Sequence, residues 1–291
     1  MNTRALLERI GVALGRSGLA VGVVLFLTLG NFCAASWPFF AFENGARIGP
    51  PEKQAAVLKE LGYDGIGSAG PSNIPQRLKA YDEAGLKLFG LYVGSKVSDQ
   101  GPWYDPNVVE AIRDLKGRDT VIELNIQGNA KNGDEQAVQV VREIAGLAAQ
   151  SGLRVVLYPH AGFYIARSSD ALRIAKKSER DNVGVMFNLC HFLMVEPEAD
   201  LERTLVEARP YLWRVSICGA DQDGKSWNTL IQTLDRGTFD QLRVLKLLKK
   251  QGFNGVIGLQ CYALPGDPQE NLKRSLEAWQ KLSQRLRQEA D

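Results

Sequence analysis

Along residues 39–286, short runs of β-branched or aromatic residues alternate with longer stretches whose apolar positions recur every three or four residues. The runs fall at 39–42, 63–68, 86–93, 120–126, 154–160, 182–188, 212–218 and 254–262. A segment of helical period follows each, at 51–61, 74–84, 106–116, 134–150, 169–178, 199–208, 238–251 and 268–286. The last segment shows the logic. Asp267 suits an N-cap, Pro268 suits the first helical position, and Glu270 places an acid in the first turn. Leu272, Leu276, Trp279, Leu282 and Leu286 then recur on one face. Gly62, Gly85, Gly152 and Gly252 stand where a helix must close before the next strand begins.

Alternating strand and helix units demand a parallel sheet covered by helices. Eight units with no linker between them predict an α/β fold, a (β/α)8 TIM barrel forming a single domain over 37–291. An open, doubly wound sheet is the alternative. Its best support is Gly65-Ile-Gly-Ser-Ala-Gly70, which fits GxGxxG. Pro71-Ser-Asn separates the last glycine from the next helix, so no helix N-terminus would meet a pyrophosphate. Dinucleotide binding is therefore not expected.

In a barrel, one parity of each strand faces the interior, and polar inward residues near the strand C-termini reach the mouth. Residues 122–127 put Glu123, Asn125 and Gln127 inward, and 155–160 end inward with Tyr158 and His160. The later strands add Asn188, Ser216, Cys218, Gln260 and Tyr262, with His191 just past residue 188. Both histidines of the chain fall at this rim. Beside Glu123, Asn188 and Gln260 they suggest a functional cluster, either ligands for a divalent ion or a polar cup for sugar hydroxyls. Glu43, at the end of the first strand, is a candidate substrate contact.

Composition narrows the class. Of 291 residues, 45% are hydrophobic and 23% charged, as in a folded globular chain. The net charge of +2 is carried by the first 36 residues, where Arg4, Arg9 and Arg16 outnumber Glu8. The rest is neutral, so no field draws a nucleic acid. Those arginines precede an uncharged apolar stretch and then Ala34, Ala35 and Ser36, which predicts a signal peptide over 1–36 and an exported protein, periplasmic or secreted. An uncleaved membrane anchor is the alternative, because Trp37–Phe42 prolongs the apolar stretch. Beyond Cys33, the cysteines are Cys190, Cys218 and Cys261, an odd set read as small buried hydrophobes rather than a disulfide framework.

Leu61-Gly-Tyr-Asp-Gly-Ile-Gly67, Tyr158-Pro-His-Ala-Gly162, Asn188-Leu-Cys-His191, Gly219-Ala-Asp221 and Gly258-Leu-Gln-Cys-Tyr262 form an ordered set. With these motifs the chain resembles the xylose-isomerase-like TIM-barrel superfamily, the sugar phosphate isomerase/epimerase group. The resemblance implies a carbohydrate substrate, a divalent metal (Mn²⁺, Mg²⁺, Co²⁺ or Zn²⁺) and proton transfer beside a carbonyl between two glutamates. The chain departs at the ligand positions, with Tyr158 and His160 on the fifth strand, Asn188 on the sixth, Ser216 on the seventh and Gln260 on the eighth. Only His191 carries over unchanged. The implied metal set is then Glu123, His160, His191 and Gln260, with His160, Glu123 and Lys225 as candidate catalytic groups. Asn125, Tyr158, Asn188, His191, Ser216, Tyr262 and Glu43 would contact substrate. An isomerase or epimerase is the first expectation. A lyase working through the same enolate and a non-catalytic carbohydrate-binding barrel are the alternatives. From the leader alone, protein recovered from its host should begin near residues 35–38 outside the cytoplasm; an intact Met1 terminus on soluble cytoplasmic protein would refute the export reading.

Overall fold

Each of the eight apolar runs forms a strand in the computed structural model, which describes residues 37–289. The expected leader over 1–36 lies outside the described residues. The barrel strands are β1 (Phe39–Phe42), β2 (Gly65–Ser68), β3 (Lys87–Val97), β4 (Val121–Gly128), β5 (Arg154–Leu157), β6 (Val183–Asn188), β7 (Leu212–Ile217) and β8 (Val256–Leu259). All neighbours pair in parallel and β8 returns to β1, so the sheet closes into a TIM barrel. β3 runs on past the barrel and pairs antiparallel with the two-residue strand Trp103–Tyr104. No helix among the described residues is long and apolar enough to cross a membrane.

The predicted helix signals act as expected. Asp267 accepts a hydrogen bond from the Glu270 amide at 2.8 Å, and Pro268 opens the helix Pro268–Gln288. Gly62 ends the helix Pro51–Leu61 at φ +98°, a left-handed conformation that a β-carbon would strain. Three elements fall outside the sixteen read from the sequence, namely the strand Trp103–Tyr104 and the helices Leu189–Val195 and Trp227–Leu230. The helix Leu189–Val195 starts directly after β6, so His191, expected just past the strand, sits in its first turn.

Two apolar cores follow from strand parity. The larger lies between sheet and helices and includes Ile66, Leu91, Leu124, Leu157, Val215 and Leu259. The smaller fills the barrel with Phe40, Phe42, Phe89, Val121, Val156, Tyr158 and Met186. Cys190, Cys218 and Cys261 are free and buried, and all three pack in or beside the helix-side core. Cys218, expected inward, belongs there too.

The interior is narrow, and large residues fit because glycines face them. A β-carbon on Gly67 would lie 2.8 Å from the Phe40 ring, and one on Gly258 would lie 2.6 Å from it. Gly65 and Gly67, two of the three glycines of the GxGxxG pattern, are therefore barrel-lining residues in β2, and the next helix begins only at Ile74. This gives a test with opposite signs. Gly258→Ala should lower stability by about 1–3 kcal/mol through overpacking. Gly146→Ala, in a helix where a β-carbon meets nothing within 4 Å, should be stabilising by about 0.5–1 kcal/mol. Thermal unfolding of the two variants would show whether the interior is as full as described.

Candidate active site

Loops after the strand C-termini enclose a cavity of about 860 Å³. Among its lining residues are Glu43, Tyr158, His160, His191, Gln260 and Tyr262, all expected from the sequence. Asn188 lies just behind this wall, buried and bonded to Tyr158.

The histidines are joined through one residue. Ala161 accepts a hydrogen bond from His160 Nδ1 at 3.0 Å on its carbonyl, and its amide donates to His191 Nδ1 at 3.3 Å. A carbonyl can only accept and an amide N–H can only donate, so the two rings take opposite tautomers. His160 keeps a free lone pair on Nε2, whereas His191 keeps an Nε2–H. The rings lie 4.0 Å apart between centroids, with Phe163 stacked on His160 at 3.8 Å. Burial holds both imidazoles below the usual histidine range, and for His191 the neighbouring His160 adds to the effect. Both are therefore neutral at physiological pH.

Tyr158 is the centre of the floor. Its oxygen accepts hydrogen bonds from Asn188 Nδ2 and from Gln260 Nε2, the latter at 3.2 Å. Its ring stands edge-on to Tyr92 and to His191. Glu43 is held by Arg77, by the Ala69 amide at 2.8 Å and by Ser68. At the rim, Trp227 and Tyr262 are 42% and 53% exposed, which leaves two aromatic faces open to a ligand.

Several expected residues sit elsewhere. Glu123 is fully buried inside the barrel and does not line the cavity. Parity gave its face correctly but not its depth. It pairs with Val156, four residues before His160, which is roughly 13 Å of extended chain. Asn125 donates to the Val93 carbonyl at 2.7 Å within the barrel wall, and Ser216 is buried there as well. Lys225 is exposed and outside the cavity, because the short helix Trp227–Leu230 turns Trp227 and Asn228, not Lys225, to the wall. Missed by the strand-based reading were Asn44, Arg47, Thr233 and Arg236, which come from loops after β1 and β7. Asn44 Oδ1 and Thr233 Oγ1 are buried without protein partners. Asn44 follows β1 closely, whereas Thr233 comes well after β7, past the helix Trp227–Leu230, and has no strand-end signal.

The donor chemistry does not fit the divalent metal that the resemblance implies. His191 Nδ1 already accepts the Ala161 amide, and Gln260 Oε1 accepts the Tyr262 amide at 3.1 Å. Asn188 Oδ1 accepts from the Cys190 thiol at 3.2 Å, so both amide groups turn N–H toward the floor. No group of three or more His, Cys, Asp or Glu side chains gathers among the described residues. One free imidazole lone pair does not make a shell for Zn²⁺ or Mn²⁺.

The chain belongs to the xylose isomerase-like TIM barrel family, whose model matches residues 55–282. Among solved structures it is similar to 3-keto-D-glucoside 4-epimerase, YcjR, from E. coli in the apo form. That likeness has 17% identity and a TM-score of 0.66, and covers 84% of this chain and 100% of the other. D-Psicose 3-epimerase from Clostridium cellulolyticum H10, solved with D-tagatose, gives 16%, 0.63, 86% and 98% for the same quantities. The IolI protein with a bound zinc atom gives 16%, 0.67, 86% and 99%. At these identities the likeness shows the fold. No curated protein matches the chain in sequence.

Glu123 yields a stability prediction in place of a catalytic one. Burial pushes its carboxyl from 4.5 up to about 7, with the Arg214 guanidinium pulling the other way. The folded chain thus holds this proton more tightly than the unfolded chain, and stability is lost as pH rises from about 4.5 to about 7. Glu123→Gln keeps the shape and removes the charge. It should match the parent near pH 4 and exceed it by up to about 3 kcal/mol at pH 8. Denaturant unfolding at the two pH values tests this; an equal difference at both would show that the carboxyl is not strained by burial.

Proposed function

We propose that the chain is a carbohydrate isomerase or epimerase that moves a proton beside a carbonyl. The observation that carries this reading is the His160–Ala161–His191 arrangement on the wall of a sugar-sized cavity. These tautomers leave a lone pair on His160 Nε2 and an N–H on His191 Nε2, a base and a hydrogen-bond donor on two residues that line one cavity. His160 Nε2 removes the proton from the carbon next to the carbonyl, and His191 Nε2–H steadies a neighbouring sugar oxygen. Trp227 and Tyr262 offer stacking faces for the ring, with Asn44 and Thr233 as partners for hydroxyls. The sugar epimerases among the structural neighbours support the same class.

The lining suits one base rather than two. Glu43, the cavity's carboxylate, is committed to Arg77, to Ser68 at the end of β2 and to the Ala69 amide that follows. A single base returns the proton on the face from which it was taken, so isomerisation through an enediol is favoured over epimerisation by two opposed bases. The same economy favours a lyase as the second reading, since one base is enough when the enolate expels a substituent from the next carbon. The divalent metal expected from the resemblance enters neither scheme, because the donor set does not suit it. Export, with the leader removed, is part of this proposal.

A panel of ketoses and 3-keto-glycosides in D₂O, followed by NMR, provides the test. Deuterium should enter the carbon beside the carbonyl of at least one compound, with an isomer or an eliminated product accumulating. His160→Gln should lower that rate by about 100-fold or more while leaving unfolding largely unchanged. Trp227→Ala should raise KM with little change in kcat, as expected for uniform binding. Sugar binding without exchange across the whole panel would sink the enzyme reading and leave a carbohydrate-binding barrel.

A further inference from the structure

Tyr158 occupies the point where β5, β6 and β8 bring their polar side chains together. A phenol oxygen has two acceptor lone pairs and one hydrogen. Asn188 Nδ2 and Gln260 Nε2 fill both lone pairs. The hydroxyl donates to no protein group among the described residues, although the residue lines the cavity and is 2% exposed. Its remaining capacity is as a donor, on a residue that forms part of the cavity lining. Gln260 is fixed in this sense by the Tyr262 amide, and Asn188 by the Cys190 thiol, so each amide is oriented by a further partner.

We infer that Tyr158 is the catalytic acid of this site and does the work that a metal ion would otherwise do at the carbonyl oxygen. The inference rests on the proton-transfer reading above and supplies its missing electrophile. When His160 Nε2 takes the proton from carbon, the C–H electron pair forms the carbon–carbon double bond. The carbonyl π pair moves to oxygen, which takes the Tyr158 proton. The site then holds an enediol, an imidazolium at His160 and a phenolate at Tyr158. Burial works against that phenolate, holding the Tyr158 phenol well above its usual range, and the Asn188 and Gln260 N–H groups directed at its oxygen offset part of that cost. In the second half the phenolate takes the proton of the other enediol hydroxyl, the carbonyl forms there, and His160 returns its proton to carbon. Atoms and charge balance without a further co-reactant.

The experiment uses the full chain and whichever panel sugar exchanges. Tyr158→Phe removes only the hydroxyl and keeps the ring packing against Tyr92 and His191. It should lower kcat for exchange by 100-fold or more, with KM within about threefold. Asn188→Asp reverses one hydrogen bond, because a carboxylate accepts the phenol proton and withdraws it from substrate. It should reproduce the kcat loss with KM again little changed, whereas a merely structural phenol would tolerate this near-isosteric change. The parent should keep its full rate after dialysis against EDTA and hold no stoichiometric manganese or zinc by elemental analysis. Full exchange by Tyr158→Phe would overturn the assignment while leaving the proton-transfer reading intact. Rate lost in EDTA and restored by Mn²⁺ would overturn it equally. A parent that exchanges no sugar in the panel removes both.

Discussion

The inside of an eight-stranded parallel barrel is only wide enough for side chains, and that volume limit governs this molecule. Every large inward residue needs a neighbour that yields space. Phe40 faces Gly67 and Gly258, and the Glu123 carboxylate occupies ground that any β-carbon on Gly90 would overlap. Arg214 is buried beside them, lying over the Phe89 ring and donating to the Phe89 carbonyl at 2.7 Å. With these layers filled, Tyr158 becomes the floor of the cavity and the two histidines stand on it. The depth at which polarity becomes accessible is thus set by packing far below the mouth.

The fold was legible in the chain because its signals are local and repeat. Period-two and period-3.6 patterns, the Asp267-Pro268 start and glycine helix ends each survive without knowledge of the tertiary structure. Parity also sorted most inward residues correctly, and His160, His191, Gln260 and Tyr262 do meet at one cavity. What parity cannot carry is height along the barrel axis. Glu123 and Asn125 have the right face but belong to the wall and interior, since strand staggers are fixed by closure and not by any one strand's sequence. The helix at 189–195 escaped because a seven-residue apolar segment after a strand has no distinct period. Arg47 and Arg236 escaped because loop conformation brings them to the cavity.

The chemistry follows from how donors and acceptors are distributed. Asn188 and Gln260 could each present an oxygen or an N–H, and neighbouring groups decide the matter in both cases. A ring of carboxylates would gather a cation. A ring of oriented amide N–H groups gathers an oxygen instead, here that of Tyr158. The family fold is compatible with either, which is why membership alone says little about how charge is handled.

Ala161 carries a different kind of information. Its carbonyl and its amide set the two imidazoles in complementary states, and its methyl group has no part in either bond. The residue also lines the cavity, so a larger side chain there would take ligand space, while proline alone would delete the amide hydrogen. Selection acting on this link alone would exclude only proline, whatever the cavity asks of the side chain. The link itself is invisible to residue identity, because the group that makes it is the peptide.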